Sequence, residues 1–302
     1  MTPEHGSLRD LVSRWAGGEH VRHLNTWNSR TARITLWNAN GDQLLVKELE
    51  TPDLAARLHD TMDAFADAVP PEVRRLRPLG WAREPPCVCM PYVPAPSLAR
   101  LIRRRWLWWK APPIGDIVAS VGTALACFHR ALGRADELSR DDADHTLSLA
   151  LEAAAPYGET LRAAADSAEP VRVYDDINPS HVLVDASTIT LIDIPDGDKI
   201  AYPHRDLAWF TDQLFMALLR SVPNVPASRQ LSQLAALRQR LLRAYFSEAG
   251  RPPTEGDDCL VAAFEAYYLA RRRSRGRSPI ASGLLGPPLR IRSQRLRSAF
   301  SS

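Results

Sequence analysis

The chain has little lysine, little cysteine and no long apolar segment. Only three of its 38 basic residues are lysines, so a lysine at a position where a phosphate must be bound stands out from the background. No apolar run approaches the roughly 20 residues of a membrane-spanning helix, and the first ten residues lack the basic and then apolar order of a signal peptide. We therefore expect a cytoplasmic protein without a transmembrane segment.

The four cysteines do not have the spacing of a metal finger. Cys87 and Cys89 are two residues apart in an apolar, strand-like run, which predicts free and buried thiols. A content of 45% hydrophobic and 24% charged residues excludes disorder of the whole chain and is sufficient for one large core or two lobes.

Charge is unevenly distributed along the chain. The net charge is +3, but no acidic residue follows Glu265, whereas nine arginines do. The basic character therefore belongs to the C-terminal end, and residues 274–302 are predicted to form a basic, mobile tail. Such a tail can attract an anionic partner such as a phosphate, an acidic peptide or an anionic lipid, or it can stay solvated without a partner. A basic globular face is not implied, so a nucleic-acid partner is not expected.

The order of strand and helix patterns predicts an α+β fold with two lobes. Within residues 1–93, polar and apolar positions alternate over residues 21–49 around an Asn40-Gly41 turn, and one helical stretch follows from Pro52. They predict an N-lobe with a small antiparallel sheet and one helix. Residues 94–273 predict a mainly helical C-lobe that also contains a short hairpin. The predicted helices of the C-lobe are Leu98–Trp109, Ile114–Leu132, Leu147–Ala165 and about 205–221, 229–249 and 256–273.

A polar loop and the apolar run after it carry the residue types that phosphoryl transfer requires. Asp176 lies in a proline-containing loop, His181 follows five residues later, and Asp193 comes directly after an apolar run. The reaction needs a carboxylate that orients the attacking hydroxyl, and ligands that hold Mg²⁺ against the nucleotide phosphates. We predict Asp176 as the catalytic carboxylate, and His181 and Asp193 as metal ligands. The alternative for Asp176 is a turn carboxylate with local hydrogen bonds.

Lys47 ends the apolar strand that begins at Leu44. An ammonium group at such a position can contact nucleotide phosphates if an acidic residue of the next helix holds it in place. That helix contains no glutamate; Asp63 has the better spacing for this partner, and Asp60 is the other candidate. Taken alone, Lys47 is better explained as a solvated lysine at the end of a strand; the segments that follow reverse this preference.

Over roughly residues 20–250, and most strongly between residues 174 and 210, the chain resembles the protein-kinase-like phosphotransferases, in particular the aminoglycoside phosphotransferases and the lipopolysaccharide-core sugar kinases. Those families show His-Gly-Asp or His-Arg-Asp, a proline-containing loop that ends in Asn, then Ile-Asp, and later Asp-Leu-Ala. The corresponding segments here are Tyr174-Asp175-Asp176 with the loop to His181, then Leu191-Ile192-Asp193, and Asp206-Leu207-Ala208. His129 also resembles the histidine of a Leu-His element that precedes the catalytic loop in these families, although a buried core histidine explains it as well.

The resemblance implies a bilobal protein-kinase-like fold and transfer of the γ-phosphoryl group of ATP, with Mg²⁺, to a hydroxyl of a small molecule, a sugar or a glycoconjugate. Asp176 would orient the hydroxyl, His181 and Asp193 would hold the metal, and Lys47 with Asp63 would place the phosphates. Asp206 would brace the catalytic loop, or it is a plain helix N-cap. The short segment between Asp193 and Asp206 favours a small acceptor over a peptide, although a peptide Ser/Thr kinase is an alternative.

The chain departs from the family pattern at three places. Tyr174 replaces a histidine, and His181 replaces the metal-binding asparagine; imidazole suits Mg²⁺ less well than an amide oxygen does. The turn that would cover the phosphates, Asn25–Thr31, has no glycine and offers Ser29 and backbone amides instead. These departures motivate a second hypothesis, a kinase-like binding or scaffold protein without catalysis. Against it, the lipopolysaccharide heptose kinases resemble this chain in having a histidine at the position of His181.

Two further segments yield predictions. The connector Met90–Val93 would hold adenine through backbone groups, and because Pro91 has no N–H, the donors are predicted to be those of Tyr92 or Val93. The segment Arg103–Lys110 combines four cations with three tryptophans. It could stack on bases or sugars or lie on a membrane surface, or it is a helix end whose tryptophans pack inward.

Overall fold

Two structural units divide the chain. The computed structural model describes residues 4–18, 20–29, 32–104, 114–133, 140–154, 158–221 and 227–275. The first unit consists of the described part of Met1–Ala95 together with Thr190–Asp198, and the second of the described parts of Pro96–Ile189 and Lys199–Ser302. The short segment that carries Asp193, expected from the sequence in the C-lobe, therefore clusters with the first unit.

The first unit is built on a six-stranded sheet with the order β1-β5-β6-β4-β3-β2. Strands β2 to β6 pair antiparallel, and the two-residue β1 lies parallel to β5 at one edge. The strands are β1 (Glu4–His5), β2 (Val21–Asn28), β3 (Arg33–Ala39), β4 (Asp42–Glu48), β5 (Gly80–Glu84) and β6 (Pro86–Pro91). The antiparallel sheet predicted for this part of the chain is confirmed, although β5 was not predicted.

The predicted β3–β4 hairpin turns at Asn40 and Gly41, as expected. Both residues have positive φ, 55° and 96°, which the two-residue turn of a tight hairpin requires and which asparagine and glycine adopt at low cost. The turn pairs Ala39 with Asp42 and sets the register of the whole hairpin, so that Ile34 is opposite Lys47. The position of Lys47 in the sheet thus follows from this turn.

Two helices accompany the sheet. Helix α1 (Leu8–Ala16), which was not predicted, begins at an N-cap of Ser7 and buries Leu11 and Val12 against residues of one sheet face. Helix α2 (Pro52–Ala68) was predicted. It begins because the Thr51 hydroxyl accepts from the N–H of Leu54, and it stops ahead of two consecutive prolines. Helix α2 packs against β5 and β6.

The cysteines are free thiols, as predicted. Cys87, Cys89 and Cys127 are buried, and Cys259 is half-buried. Cys87 and Cys89 belong to the apolar cluster under α1. Burial raises the pKa of the Cys87 thiol to about 12, with a smaller contribution from the charge of Glu48, and burial also raises the pKa of Cys89. These two thiols therefore act as small apolar side chains.

The second unit is mainly helical. Its helices are α3 (Leu98–Arg104), α4 (Ile114–Ala131), α5 (Arg140–Ala153), α6 (Gly158–Asp166), α7 (His204–Ser221), α8 (Ala227–Glu248) and α9 (Glu255–Arg275). Short strands β7 (Val171–Arg172) and β10 (Ile200–Ala201) pair with each other, and β8 (Val182–Asp185) pairs with β9 (Thr188–Leu191) in the predicted hairpin. Helices α4 and α8 lie so close together that a Cβ at Gly122 would overlap the carbonyl oxygen of Leu241.

One predicted helix of this unit is wrong. The segment predicted as a single helix, Leu147–Ala165, contains the end of α5 and most of α6. Pro156 lies between these two helices in the sequence, and proline cannot donate the backbone hydrogen bond that a continuous helix needs. Most of the segment Arg103–Lys110 and nearly all of the predicted basic tail lie outside the described residues. Within the described part of the chain, no helix is both long enough and apolar enough to span a membrane.

Candidate functional site

Lys47 lies in the middle of the sheet of the first unit. Its neighbours across the strands are Ile34 in β3 and Val88 in β6. Leu44 and Val46 of the same strand belong to the cluster under α1, so Lys47 points to the opposite face. There its Nζ donates a hydrogen bond of 2.8 Å to Oδ1 of Asp193. The Lys47 side chain is 17% exposed and that of Asp193 49% exposed, so the carboxylate remains accessible to a further ligand.

Lys47 does not pair with Asp63, the residue that was predicted as its partner. Asp63 accepts from Nη1 of Arg77 at 2.9 Å, and Arg77 also pairs with Asp67. Asp60, the second candidate, lies 3.1 Å from Nδ1 of His59. The pair of Lys47 with Asp63 is therefore not formed, and Asp193 takes the place that a helix carboxylate was expected to fill.

Helix α2 contacts the segment around Asp193 through other residues. Nη2 of Arg57 donates to Oδ2 of Asp196 at 2.9 Å, and the Thr61 hydroxyl donates to the backbone carbonyl of Asp196 at 3.2 Å. The hydrogen bond to Asp196 raises the pKa of Arg57. Burial alone would raise the pKa of the Asp196 carboxyl, but the hydrogen bond from Arg57 holds it below its usual range. Both side chains are therefore ionised at neutral pH.

In the second unit, the loop between β7 and β8 presents Asp176. The Asp176 side chain is exposed, and its carboxylate makes no hydrogen bond or ion pair with any residue that the structure describes. The main chain on either side is held: the N–H of Asp176 donates to the carbonyl of Tyr174 at 2.9 Å, and Ile177 is fully buried. The loop thus fixes the backbone of Asp176 and leaves its carboxylate available.

Asp175, the adjacent carboxylate, has a different role. Its side chain pairs with both Lys199 and Arg205. It also has a left-handed backbone, with φ of 67°, which is uncommon for a residue other than glycine. Of the two consecutive aspartates, Asp175 is used to fix the loop and Asp176 is not. This difference supports the choice of Asp176 as the reactive carboxylate.

His181 lies beside Asn178, a residue that the sequence analysis did not single out. The amide nitrogen of Asn178 is 3.1 Å from each ring nitrogen of His181, and the N–H of His181 donates to the Asn178 carbonyl at 2.9 Å. The side-chain oxygen of Asn178 accepts from the N–H of Ser180 at 2.9 Å, as in an Asx-turn. The Asn-Pro pair that signals such a turn is visible in the sequence; its contact with the imidazole is not.

Asp206 holds the loop that carries Asp175 and Asp176, which is one of the two alternatives that the sequence left open. Its buried carboxylate accepts from the N–H of Tyr174 at 2.6 Å and from the N–H of Asp175 at 3.0 Å. It also lies 3.0 Å from Nε2 of the buried His129, whose Nδ1 is 2.8 Å from the Tyr245 hydroxyl. Asp206 is the third residue of α7 and therefore not its N-cap; its carboxylate joins α7 to the loop and to α4.

Replacing Asp206 by alanine should destabilise the protein strongly. The change leaves two backbone N–H groups and an imidazole without their acceptor, and each buried unsatisfied group costs about 1 kcal/mol or more, or roughly 3 kcal/mol in total. We expect a clear fall in the midpoint of chemical denaturation. Asp144→Ala is the control, because Asp144 is an exposed carboxylate that accepts a single hydrogen bond, from Tyr202 at 2.8 Å. Equal midpoints for the two variants would contradict the bracing role.

Of the residues predicted to contact nucleotide, Ser29 and Tyr92 already use their donor groups within the protein, whereas Val93 keeps a backbone N–H without a described acceptor. The Ser29 hydroxyl donates to the carbonyl of Ala32 and accepts from its N–H, both at 2.9 Å, and the Ser29 N–H donates to the same carbonyl, so these groups of Ser29 are already bonded to Ala32. The Tyr92 N–H donates to the carbonyl of Gln43 at 2.9 Å and is not available for adenine. The Val93 N–H donates to no described residue and remains the candidate.

The donor set of the first unit suits Mg²⁺. Within the described residues no cluster of three or more His, Cys, Asp or Glu side chains has the geometry of a metal site. Mg²⁺ does not require one, since it is commonly bound by one or two carboxylates together with substrate phosphates and water. The half-exposed Asp193 carboxylate is a hard oxygen group of this kind, and the ammonium group of Lys47 lies 2.8 Å from it.

The fold is protein-kinase-like, as the sequence predicted. Two crystal forms of a glucosamine kinase have it: one shows a TM-score of 0.58 at 18% identity, covering 100% of this chain and 86% of the other, and the second a TM-score of 0.52 at 15% identity, covering 98% and 99%. A protein from Ralstonia eutropha described as a candidate aminoglycoside phosphotransferase shows 0.54 at 13% identity, covering 97% and 96%. No protein-family model and no curated protein sequence matches the chain.

Proposed function

We propose that the chain is an ATP- and Mg²⁺-dependent phosphotransferase that acts on a hydroxyl of a small molecule, a sugar or a glycoconjugate. The observation that carries the proposal is the 2.8 Å contact between Lys47 and Asp193 in the first unit. It joins a phosphate-binding cation to a metal-ligating carboxylate, which is the combination that phosphoryl transfer from a nucleotide needs. The likeness in fold to proteins named as glucosamine kinase and aminoglycoside phosphotransferase supports it.

Each side chain has a defined part in this proposal. Asp176 orients the acceptor hydroxyl and takes its proton as the oxygen attacks the γ-phosphorus and the bond to the β-phosphate oxygen breaks. Lys47 contacts the phosphates, and Asp193 would hold Mg²⁺, which supplies charge neutralisation at the phosphates when bound. The Val93 N–H would donate to the adenine.

His181 stays a prediction as a second metal ligand. Its ring nitrogens already contact the Asn178 amide, and imidazole is a less suitable ligand for Mg²⁺ than oxygen. Asn178 does not replace it, because its side-chain oxygen already accepts hydrogen bonds from both the N–H and the hydroxyl of Ser180. The proposal therefore depends on Asp193 rather than on His181. The cytoplasmic location likewise stays a prediction.

A small acceptor fits the chain better than a peptide does. Helix α7 begins at His204, so that only residues 194–203 lie between Asp193 and this helix, and two of them form β10. A peptide kinase orders its substrate with a long activation segment between the corresponding elements. The proteins of similar fold that carry the comparison are also named for amino sugars or aminoglycosides.

Mg-ATP should stabilise the protein and support transfer of labelled phosphate. A ligand present at about 100 times its dissociation constant stabilises the folded state by about 2.7 kcal/mol, which a thermal-shift assay detects readily. We expect a shift with ATP and Mg²⁺ together, a smaller one with ATP alone, and label on one or more members of a panel of amino sugars, aminoglycosides and amino alcohols. An acidic peptide in the same panel tests the peptide-kinase alternative.

The same assay decides between catalysis and a scaffold. Folded protein that shows neither a shift with Mg-ATP nor slow ATP hydrolysis would contradict the proposal and favour the non-catalytic hypothesis. Binding without any transfer or hydrolysis would also contradict it, and would indicate a nucleotide-binding scaffold.

A further inference from the structure

Helix α2 contacts the segment that carries Asp193, and it does not contact Lys47 through a carboxylate. The helix contains no glutamate, and none of its described carboxylates contacts Lys47. Instead Arg57 and Thr61, four residues apart and hence on one face of the helix, both contact Asp196. Arg57 binds its carboxylate and Thr61 its backbone carbonyl, so the residue is held at side chain and main chain together.

Asp196 is three residues from Asp193, and Pro195, whose ring fixes φ, lies between them. Asp193 has a left-handed backbone with φ of 59°, which is uncommon for a residue other than glycine. Gly197, on the other side of Asp196, is also left-handed, with φ of 75°. The segment is thus attached to the sheet through Lys47–Asp193 and to α2 through Arg57–Asp196. The second attachment restricts how the Asp193 backbone can move.

We propose that Arg57 is a positioning residue for Asp193, acting through Asp196. The proposal rests on the proposed function, since it takes Asp193 as the Mg²⁺ ligand. Groups that orient a metal ligand change metal affinity or activity by roughly tenfold to a hundredfold when they are removed. Loss of Arg57 should therefore weaken Mg²⁺ binding with nucleotide, while binding of nucleotide without metal changes little.

The test is Arg57→Met, which removes the charge and keeps the length of the side chain. We expect the Mg²⁺ concentration for half-maximal turnover to rise roughly tenfold or more. Mn²⁺ binding to the protein with ADP, measured by electron paramagnetic resonance, should weaken by a similar factor. The thermal midpoint without ligand should change little, because the Arg57 side chain is 46% exposed and ion pairs at the surface contribute little to stability.

Arg77→Met is the matched control. Arg77 also forms ion pairs with α2, through Asp63 and Asp67, and is about as exposed as Arg57, but it makes no contact with residues 193–198. Its metal dependence should equal that of the wild type. Reversal of the pair, with Arg57→Asp and Asp196→Arg in one chain, should recover part of the lost metal affinity, which a general loss of stability would not allow.

The outcomes separate the two proposals. The wild-type protein must first show turnover. If it does, and if Arg57→Met and Arg77→Met then bind Mn²⁺ with equal affinity, the positioning role of Arg57 is wrong and the proposed function stands. A wild-type protein that binds neither Mg-ATP nor Mn-ADP overturns the proposed function, and this inference with it.

Discussion

Replacing Asp193 by asparagine is expected to lower kcat/KM for phosphoryl transfer by about 100-fold to 1000-fold, the size of effect that follows loss of one strong electrostatic contact to the transition state. Asparagine has nearly the same shape but no charge. The change therefore removes the ionic partner of Lys47 and weakens the bond to Mg²⁺ without creating a cavity. Initial rates measured over a range of Mg²⁺ concentrations should show that excess metal restores part of the activity.

Asp63→Asn is the informative control for this experiment. The sequence indicates Asp63 as the partner of Lys47, whereas in the structure it binds Arg77 and is 43% exposed. Loss of such a surface ion pair costs at most about 1 kcal/mol of stability and should leave turnover nearly unchanged. An Asp63→Asn variant as inactive as Asp193→Asn would show that the lysine is held by α2 in the working enzyme, contrary to the geometry described above.

The difference between Asp63 and Asp193 shows where sequence patterns stop being informative. Helical spacing places Asp63 on α2, but it does not show which face of the helix meets the sheet. Arg77, which binds Asp63, comes from the loop before β5, a strand that was not predicted. Lys47 and Asp193 are 146 residues apart, and no local pattern indicates their contact. Only the chain's three-dimensional path brings the two together.

Local signals performed better where one short-range interaction determines the structure. The Asn40-Gly41 turn fixed the register of β3 and β4, and the Thr51 cap with the following proline fixed the start of α2. Asp206 was identified through the resemblance to a family, since its partners Tyr174 and Asp175 lie about 30 residues away in the sequence. Ser29 and Tyr92 have suitable donor groups in the predicted places, but backbone partners already occupy them.

Asp176→Asn is expected to lower kcat by about 100-fold to 10,000-fold, the range for loss of a positioned general base. The Asp176 carboxylate is exposed and makes no hydrogen bond or ion pair with a described residue. The free energy of unfolding should therefore stay within about 0.5 kcal/mol of the wild-type value. Binding of Mg-ATP should also be unchanged, because Asp176 is assigned to the acceptor. Single-turnover rates and thermal shifts with Mg-ATP measure the two effects separately.

Asp175→Asn provides the comparison within the same loop. Asp175 is bound by Lys199 and Arg205, so its replacement should lower stability while any fall in kcat should be smaller than that of Asp176→Asn. Replacement of Asp176 should therefore affect mainly catalysis, and replacement of Asp175 mainly the stability of the fold. Normal single-turnover rates in the Asp176→Asn variant would show that Asp176 takes no part in the reaction. Its exposed carboxylate has no partner among the described residues, so a direct part in the reaction is the one way in which it could change the rate.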